Sequence, residues 1–176
     1  MKLLYTKRSP FARKARIIAL EKAIPMELVD EDLQNKSPLL LKMNPLGKVP
    51  TLILDNGETV FDSPVICQYL DDLNNASIMI PKDPKKRIEV LKWEAFADDL
   101  MVAAINMYME KVRHPSDFHQ KFVAAQEDNI KNAYAYIEKN VDQLKEFNLA
   151  SVAVASAISY VQFRLPQFKV EGKLAQ

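Results

Sequence analysis

Cysteine and glycine are both scarce in this chain of 176 residues. The only cysteine is Cys67, which excludes an internal disulfide and a cysteine-based metal cluster. The two histidines, His114 and His119, miss the four-residue spacing that places two ligands on one helix face, so no metal site is expected. The three glycines are too dispersed to form a glycine-rich phosphate loop.

The sequence also lacks an excess of one charge and a long apolar run. It has 24 basic and 23 acidic residues, a net charge of +1, which predicts neither nucleic acid nor an anionic membrane as a partner. The longest apolar run, Leu100–Ile105, is too short to cross a bilayer, and the N-terminus has no signal-peptide-like stretch. We therefore expect a cytoplasmic protein.

The character of the sequence changes within residues 74–86, where asparagines, two prolines and a cluster of charges indicate a linker. Before this point the apolar segments are short and often end at a proline, whereas the later ones are long and have helical spacing. We predict an N-terminal domain over residues 1–77, a linker over 78–85 and an all-helical domain over 86–176.

The first part reads as strand, helix, strand, irregular segment, hairpin and helix. Asn56-Gly57 is a strong signal for the hairpin turn. Ser63 is predicted to cap the last helix and Pro64 to be its first residue. The order predicts an α/β fold with a four-stranded mixed sheet and helices packed on it. The predicted segments are Lys2–Tyr5, Phe11–Lys22, Met26–Val29, Thr51–Phe61 and a helix from Ser63.

The second part predicts three helices, Lys86–Val112, Phe118–Leu144 and Asn148–Phe163. The last is apolar on nearly every side, which is typical of a buried helix in a bundle. Asn148 is a suitable cap for it, with Ser151 in the capping-box position.

Three segments of the first part are candidates for a shared site. Ser9-Pro10-Phe11 joins a strand to a helix N-terminus, where free N–H groups and the helix dipole favour an anion. Val49-Pro50 lies directly before a strand, and we predict a cis peptide bond there. Asp62-Ser63-Pro64 is a second helix N-terminus and is suited to a carboxylate.

Each candidate also has a purely structural interpretation. Ser9 and Ser63 are typical helix caps, and Val49-Pro50 is compatible with an ordinary strand entry. Cys67 and Trp93 are expected in the core rather than at a reactive site. The basic residues near the N-terminus form either a solvated face or a surface that steers an anion; they are Lys7, Arg8, Arg13, Lys14 and Arg16.

In combination, the segments resemble cytosolic glutathione S-transferases over nearly the whole chain. The stretches SPFARK, NPLGKVPTL, FDSPVICQYL and NLASVAVASAISYVQFR are most similar to the bacterial YibF-like branch of that family. The resemblance implies a thioredoxin-like N-terminal domain. It also implies conjugation of glutathione to a small hydrophobic electrophile, no metal, and a homodimer.

The resemblance further implies that Ser9 is catalytic and donates a hydrogen bond to the glutathione thiolate. Thioredoxins carry two cysteines at this turn; here those positions are Ser9 and Ala12, which disfavours a glutaredoxin-like reductase. The implied glutathione-binding residues are Phe11, Lys36, Lys48, Val49, Pro50, Asp62 and Ser63. The implied wall of the electrophile pocket consists of Met101, Ile105 and Tyr108.

The sequence departs from the family pattern at two places. Ser151 stands where the family usually has Asp in a capping box, and the chain ends at Gln176, where members usually continue through one or two more helices. The second departure favours weakened catalysis. The alternative function is therefore a non-catalytic glutathione-binding or protein-interaction module, similar to the stringent-starvation regulators that contact RNA polymerase.

Overall fold

The computed structural model describes residues 1–175, which form two compact units, Met1–Val90 and the part from Leu91 onward. The predicted fold class, an α/β part followed by a helical part, is confirmed. The domain limits proposed from the sequence, at residues 77 and 86, stay predictions. The first unit contains β1 (Lys2–Tyr5), α1 (Pro10–Glu21), β2 (Glu27–Asp30), α2 (Pro38–Met43), β3 (Thr51–Ile53), β4 (Thr59–Val60), α3 (Ser63–Asp72) and the start of α4 (Pro84–Arg113).

The four strands form one mixed sheet in the order β2-β1-β3-β4. β1 and β2 are parallel and joined by α1, whereas β3 pairs antiparallel with both β1 and β4. Leu3, Leu4 and Leu52 on the two central strands are fully buried. The sheet is therefore the one predicted, and its centre is part of the core of the first unit.

Helices α1 and α3 pack against each other through small and branched apolar side chains. Cys67 is fully buried among them, which confirms its predicted place in the core. The other fully buried side chains of this face are Ala12, Ala15, Ile18, Ile66 and Leu70.

Two predictions about the local structure of the first unit were wrong. The segment expected to be irregular contains α2, which Ser37 caps by accepting a hydrogen bond from the Leu40 amide at 3.0 Å. The cap of α3 is Asp62 rather than Ser63, because the Asp62 carboxylate accepts from the Ser63 amide and makes Ser63 the first helical residue.

The basic cluster near the N-terminus is not a single solvated face. Lys14 is fully buried, and the Arg16 guanidinium lies over the Tyr5 ring, 4.9 Å from its centroid. Because one of the five cations is buried and another stacks on a ring, the five do not share one solvated face, and steering of an anion by the others stays a prediction.

The second unit is helical and contains the rest of α4, α5 (Gln120–Asn140), a 3₁₀ turn (Val141–Leu144), α6 (Leu149–Arg164) and a second 3₁₀ turn (Gly172–Ala175). Trp93 and Phe96 of α4 pack edge-to-face with ring centroids 5.6 Å apart, and both rings contact Tyr136 of α5. Trp93 is thus a core residue, as predicted. None of the helices that the structure describes has the length and apolar character needed to cross a membrane.

Helix α6 begins with the predicted capping box. The Asn148 side chain accepts from the amides of Ala150 and Ser151, and the Ser151 hydroxyl accepts from the Asn148 amide at 3.1 Å. A serine therefore closes the box where the family pattern has an aspartate.

Candidate functional site

The sheet register brings the three candidate segments to one end of the sheet. Leu4, near the end of β1, pairs with Thr51, the first residue of β3, and Leu52 pairs with Val60, the last residue of β4. The turn that leaves β1, the loop that enters β3 and the turn that leaves β4 must therefore lie at the same end of the sheet. These are the segments that contain Ser9, Val49-Pro50 and Asp62-Ser63.

Ser9 caps α1. Its hydroxyl oxygen accepts a hydrogen bond from the Ala12 amide at 3.1 Å, and Pro10 follows as the first helical residue. A serine hydroxyl has one hydrogen to donate and two lone pairs to accept with. The cap uses one lone pair, and the hydroxyl donates to no residue among 1–175. The capping role thus leaves the donor of Ser9 available.

The loop before β3 is held by two buried polar residues. The Asn44 side-chain amide donates to the Lys48 carbonyl and to the Thr51 hydroxyl, both at 3.1 Å, and the Thr51 hydroxyl donates to the same Lys48 carbonyl at 2.8 Å. The Val49–Pro50 peptide bond is cis, as predicted. Asn44 and Thr51 therefore fix the backbone on either side of Val49.

Sequence reasoning missed both of these positioning residues. Asn44 precedes Pro45-Leu46-Gly47 and accepts from the Leu46 amide at 3.0 Å, which is a turn signal that the sequence does contain. Thr51 carries no local signal, because its role depends on a carbonyl that only the folded loop places beside it.

Two lysines flank Gly47 at this loop. Gly47 has φ +56°, and a Cβ at this position would lie 2.8 Å from the Lys36 ammonium, so the Lys36 side chain lies against the backbone that leads to Lys48. Both lysines are exposed, and neither pairs with a carboxylate of the described residues. The structure thus places two cations close to one loop.

The N-terminus of α3 carries a carboxylate and a hydroxyl with different surroundings. One oxygen of the exposed Asp62 carboxylate accepts from the Ser63 amide at 2.6 Å. Ser63 is fully buried, and its hydroxyl has no hydrogen-bond partner in the described part of the chain. Buried hydroxyls are rarely left unpaired, so Ser63 has capacity for a further partner.

The remaining predicted site residues occupy two different units. Phe11 is partly buried in the first turn of α1. On α4, Met101 is fully buried while Ile105 and Tyr108 are partly exposed, and their place in an electrophile pocket stays a prediction. Within residues 1–175, no three His, Cys, Asp or Glu side chains gather as metal ligands.

Comparison with known proteins identifies the family of the chain. Residues 8–73, which contain all three segments, match the glutathione S-transferase N-terminal domain. The chain is 36% identical over 168 residues to the uncharacterized GST-like protein YibF of Escherichia coli K12, and the match covers 93% of this chain and 83% of that protein.

Solved structures agree with that match. A glutathione S-transferase from Methylobacillus flagellatus KT with GSH bound has a TM-score of 0.90 and 34% identity, over 96% of this chain and 86% of that chain. A glutathione transferase family member from Pseudomonas fluorescens Pf-5 with bound glutathione has a TM-score of 0.87 and 33% identity, over 94% of this chain and 84% of that one.

Proposed function

Because the chain belongs to the glutathione S-transferase family, we propose that it binds glutathione at the end of the sheet where the three segments meet and transfers it to an electrophilic small molecule. One observation carries the proposal. Two helices begin at this end of the sheet, α1 with an unused donor on Ser9 and α3 with a buried, unpaired hydroxyl on Ser63. Anions such as a thiolate and a carboxylate are the groups that helix N-termini favour.

The γ-glutamyl end of glutathione binds at α3 in this proposal. Asp62 meets its ammonium group, and the Ser63 hydroxyl and the free amides of the first helical turn meet its carboxylate. This arrangement supplies the partner that the Ser63 hydroxyl lacks.

The rest of the tripeptide follows the loop before β3. The Val49 backbone pairs with the cysteinyl residue as an added strand does, next to Pro50 and Phe11. Lys36 and Lys48 meet the glycyl carboxylate, which supplies an anion to two exposed lysines that pair with no carboxylate of the described residues.

The cysteinyl sulfur then lies near Ser9, and the available interactions suffice to ionise it. Lowering a thiol pKa from about 8.5 by roughly two units requires about 2.7 kcal/mol in favour of the thiolate. A hydrogen bond to a charged group contributes about 1.5–3 kcal/mol. A helix N-terminus adds about 0.3–1 kcal/mol, or up to roughly 2 when partly buried.

The reaction is a nucleophilic substitution or addition. The thiolate attacks an electrophilic carbon and a C–S bond forms; in a substitution the leaving group departs with the electrons of its bond, and the thiol proton goes to solvent. Met101, Ile105 and Tyr108 are proposed to contact the electrophile, and the protein is proposed to act as a homodimer, as the family resemblance implies.

Titration calorimetry with glutathione tests the binding step. Asp62→Asn keeps a good helix cap but removes the charge that meets the ammonium group, so the dissociation constant should rise about 10- to 100-fold. Asp72→Asn, a change at the exposed far end of α3, is the matched control and should bind like the wild type. Absence of heat at millimolar glutathione would exclude the proposal.

A further inference from the structure

We propose that Arg164, at the end of α6, binds a carboxylate of the electrophilic substrate. This inference rests on the proposed glutathione transfer and adds the chemical class of the second substrate, an aromatic or otherwise apolar electrophile that carries a carboxylate. It is carried by the surroundings of the Arg164 side chain.

Three aromatic rings surround the Arg164 guanidinium. Its central carbon lies 4.4 Å from the ring centroid of Tyr108 on α4, 4.8 Å from that of Phe163 and 5.7 Å from that of Tyr160. These distances are in the range of cation–π contacts. The rings hold the guanidinium in one place without using its N–H donors.

The guanidinium has no anionic partner in the described part of the chain. Arg164 is partly buried, its Nε is fully buried without a hydrogen-bond acceptor, and it forms no ion pair with any residue among 1–175. A guanidinium has five N–H donors and cannot lose its charge in a protein. Because the side chain is only partly buried and the described residues supply no acceptor for its terminal N–H groups, those groups can donate to an anion.

The shape of the cluster favours a carboxylate attached to an apolar group. The planar guanidinium matches a carboxylate through two parallel hydrogen bonds, and the neighbouring rings offer flat apolar surface for the remainder of the ligand. Tyr108 is also one of the residues proposed to contact the electrophile, so the guanidinium that covers its ring belongs to the same region of the second unit.

A structural role for Arg164 predicts different behaviour. If the side chain only joins α6 to α4 through Tyr108, its replacement would change stability and would affect charged and neutral electrophiles alike. A carboxylate-binding role would show itself only with substrates that carry the negative charge.

Two electrophiles that differ in charge separate these roles: a chlorodinitrobenzoate anion and its neutral methyl ester. In both, the glutathione sulfur bonds to the ring carbon that bears chlorine, chloride leaves with the electrons of the C–Cl bond, and the thiol proton goes to solvent. The rates with the purified full chain are divided by the uncatalysed rates.

Arg164→Met should lower kcat/KM for the anion about 10- to 100-fold, the loss expected for a hydrogen-bonded charge pair, and change that for the ester by less than about threefold. Arg164→Lys, which keeps the charge but not the planar donors, should fall between. Arg113→Met, at the exposed end of α4, is the control and should alter neither substrate. Equal losses with anion and ester, or no loss with either, would overturn the proposal.

Calorimetry with unreactive dinitrobenzoate, in the absence of glutathione, separates this inference from the proposed function. Binding to the wild type that weakens in Arg164→Met supports the carboxylate site even if glutathione does not bind. Glutathione binding together with dinitrobenzoate binding that Arg164→Met leaves unchanged would overturn the carboxylate site alone.

Discussion

The hydroxyl of Ser9 serves a structural role with one lone pair and keeps its hydrogen for another partner. The sequence left two interpretations of this residue, a helix cap and a thiolate ligand. The structure shows the cap, through the 3.1 Å hydrogen bond from the Ala12 amide. Because accepting and donating use different parts of the same hydroxyl, the cap does not compete with the proposed role in catalysis.

Replacing Ser9 by Ala should therefore affect rate more than binding. We expect turnover with chlorodinitrobenzene to fall about 10- to over 100-fold, because the thiolate loses a hydrogen bond. The dissociation constant of glutathione should change only a few-fold, since in the proposed complex Asp62 and the two lysines still hold the charged ends. The pH at which bound thiolate appears by ultraviolet absorbance should rise in the variant.

Two further variants separate the hydroxyl from the cap. Ser9→Asp keeps a strong N-cap but brings no donor to the sulfur, and it should be as inactive as Ser9→Ala while α1 remains stable. Ser9→Thr keeps both functions and should restore most of the rate. If the bound thiol of the wild type titrates no lower than free glutathione, Ser9 is only a cap and the protein is better described as a glutathione-binding module.

At the scale of elements, a buried ion pair fixes the end of α3 and the chain that follows it. Lys22, which caps the C-terminus of α1, is 1% exposed and donates to the Asp71 carboxylate at 3.0 Å and to the carbonyls of Asn74 and Ser77. The two Asp71 oxygens also accept from the amides of Met79 and Ile80. One lysine and one aspartate thus join α1, α3 and residues 74–80.

Lys22→Met should destabilise the protein by about 3–5 kcal/mol, because it leaves a buried carboxylate without its cation and two carbonyls without a donor. Urea unfolding followed by circular dichroism measures this loss. Lys85→Met, at an exposed position in the first turn of α4, is the control and should cost less than about 0.5 kcal/mol.

The double variant Lys22→Met, Asp71→Asn tests the cause. The asparagine removes the unpaired charge and can still accept from one of the two amides, so it should recover part of the lost stability. A cost of less than about 1 kcal/mol for Lys22→Met alone would show that the ion pair does not hold this segment.

At the scale of the whole molecule, the free energy of unfolding should depend on a tyrosine with no partner. The Tyr134 hydroxyl on α5 is buried and unpaired among the described residues, and burial raises the pKa of Tyr134 to about 12. In the unfolded chain this pKa is about 10. Because the folded pKa is the higher one, the related stability is present in full below pH 10 and is lost as the pH rises through 12.

Tyr134→Phe should remove this part of the alkaline destabilisation. Since the site is only partly buried, we expect the loss of stability between pH 10 and 12 to become smaller by about 1–2 kcal/mol. At neutral pH the variant should be equally stable or more stable by about 1 kcal/mol, because an unpaired hydroxyl is gone. Urea unfolding at a series of pH values measures both effects.

Tyr136→Phe is the matched control for the alkaline experiment. Tyr136 lies on the same helix and its side chain is 41% exposed, so the variant makes the same chemical change at a more exposed position. Identical profiles for the wild type and Tyr134→Phe would show that this hydroxyl does not titrate as proposed.

Local patterns in the sequence were sufficient for most of the secondary structure. Hydrophobic periodicity predicts the long helices, Asn56-Gly57 predicts the turn between β3 and β4, and Asn148 with Ser151 predicts the start of α6. These features are determined by residues that are neighbours in the chain, so a single sequence contains the information. The six-residue α2 was missed, although Ser37-Pro38 repeats the signal of Ser9-Pro10, because it is too short to show a period.

The sequence by itself determined the order of the elements except for α2, the three candidate segments and the family. Only the tertiary structure showed that Lys22 is buried against Asp71, that Asn44 and Thr51 hold the loop before β3, and that aromatic rings surround Arg164. Whether a charged or polar side chain is buried depends on partners that lie far away in the chain, such as Asp71, which is separated from Lys22 by 49 positions. No local spacing encodes those partners, so folding alone decides which polar groups are paired and which remain available to a ligand.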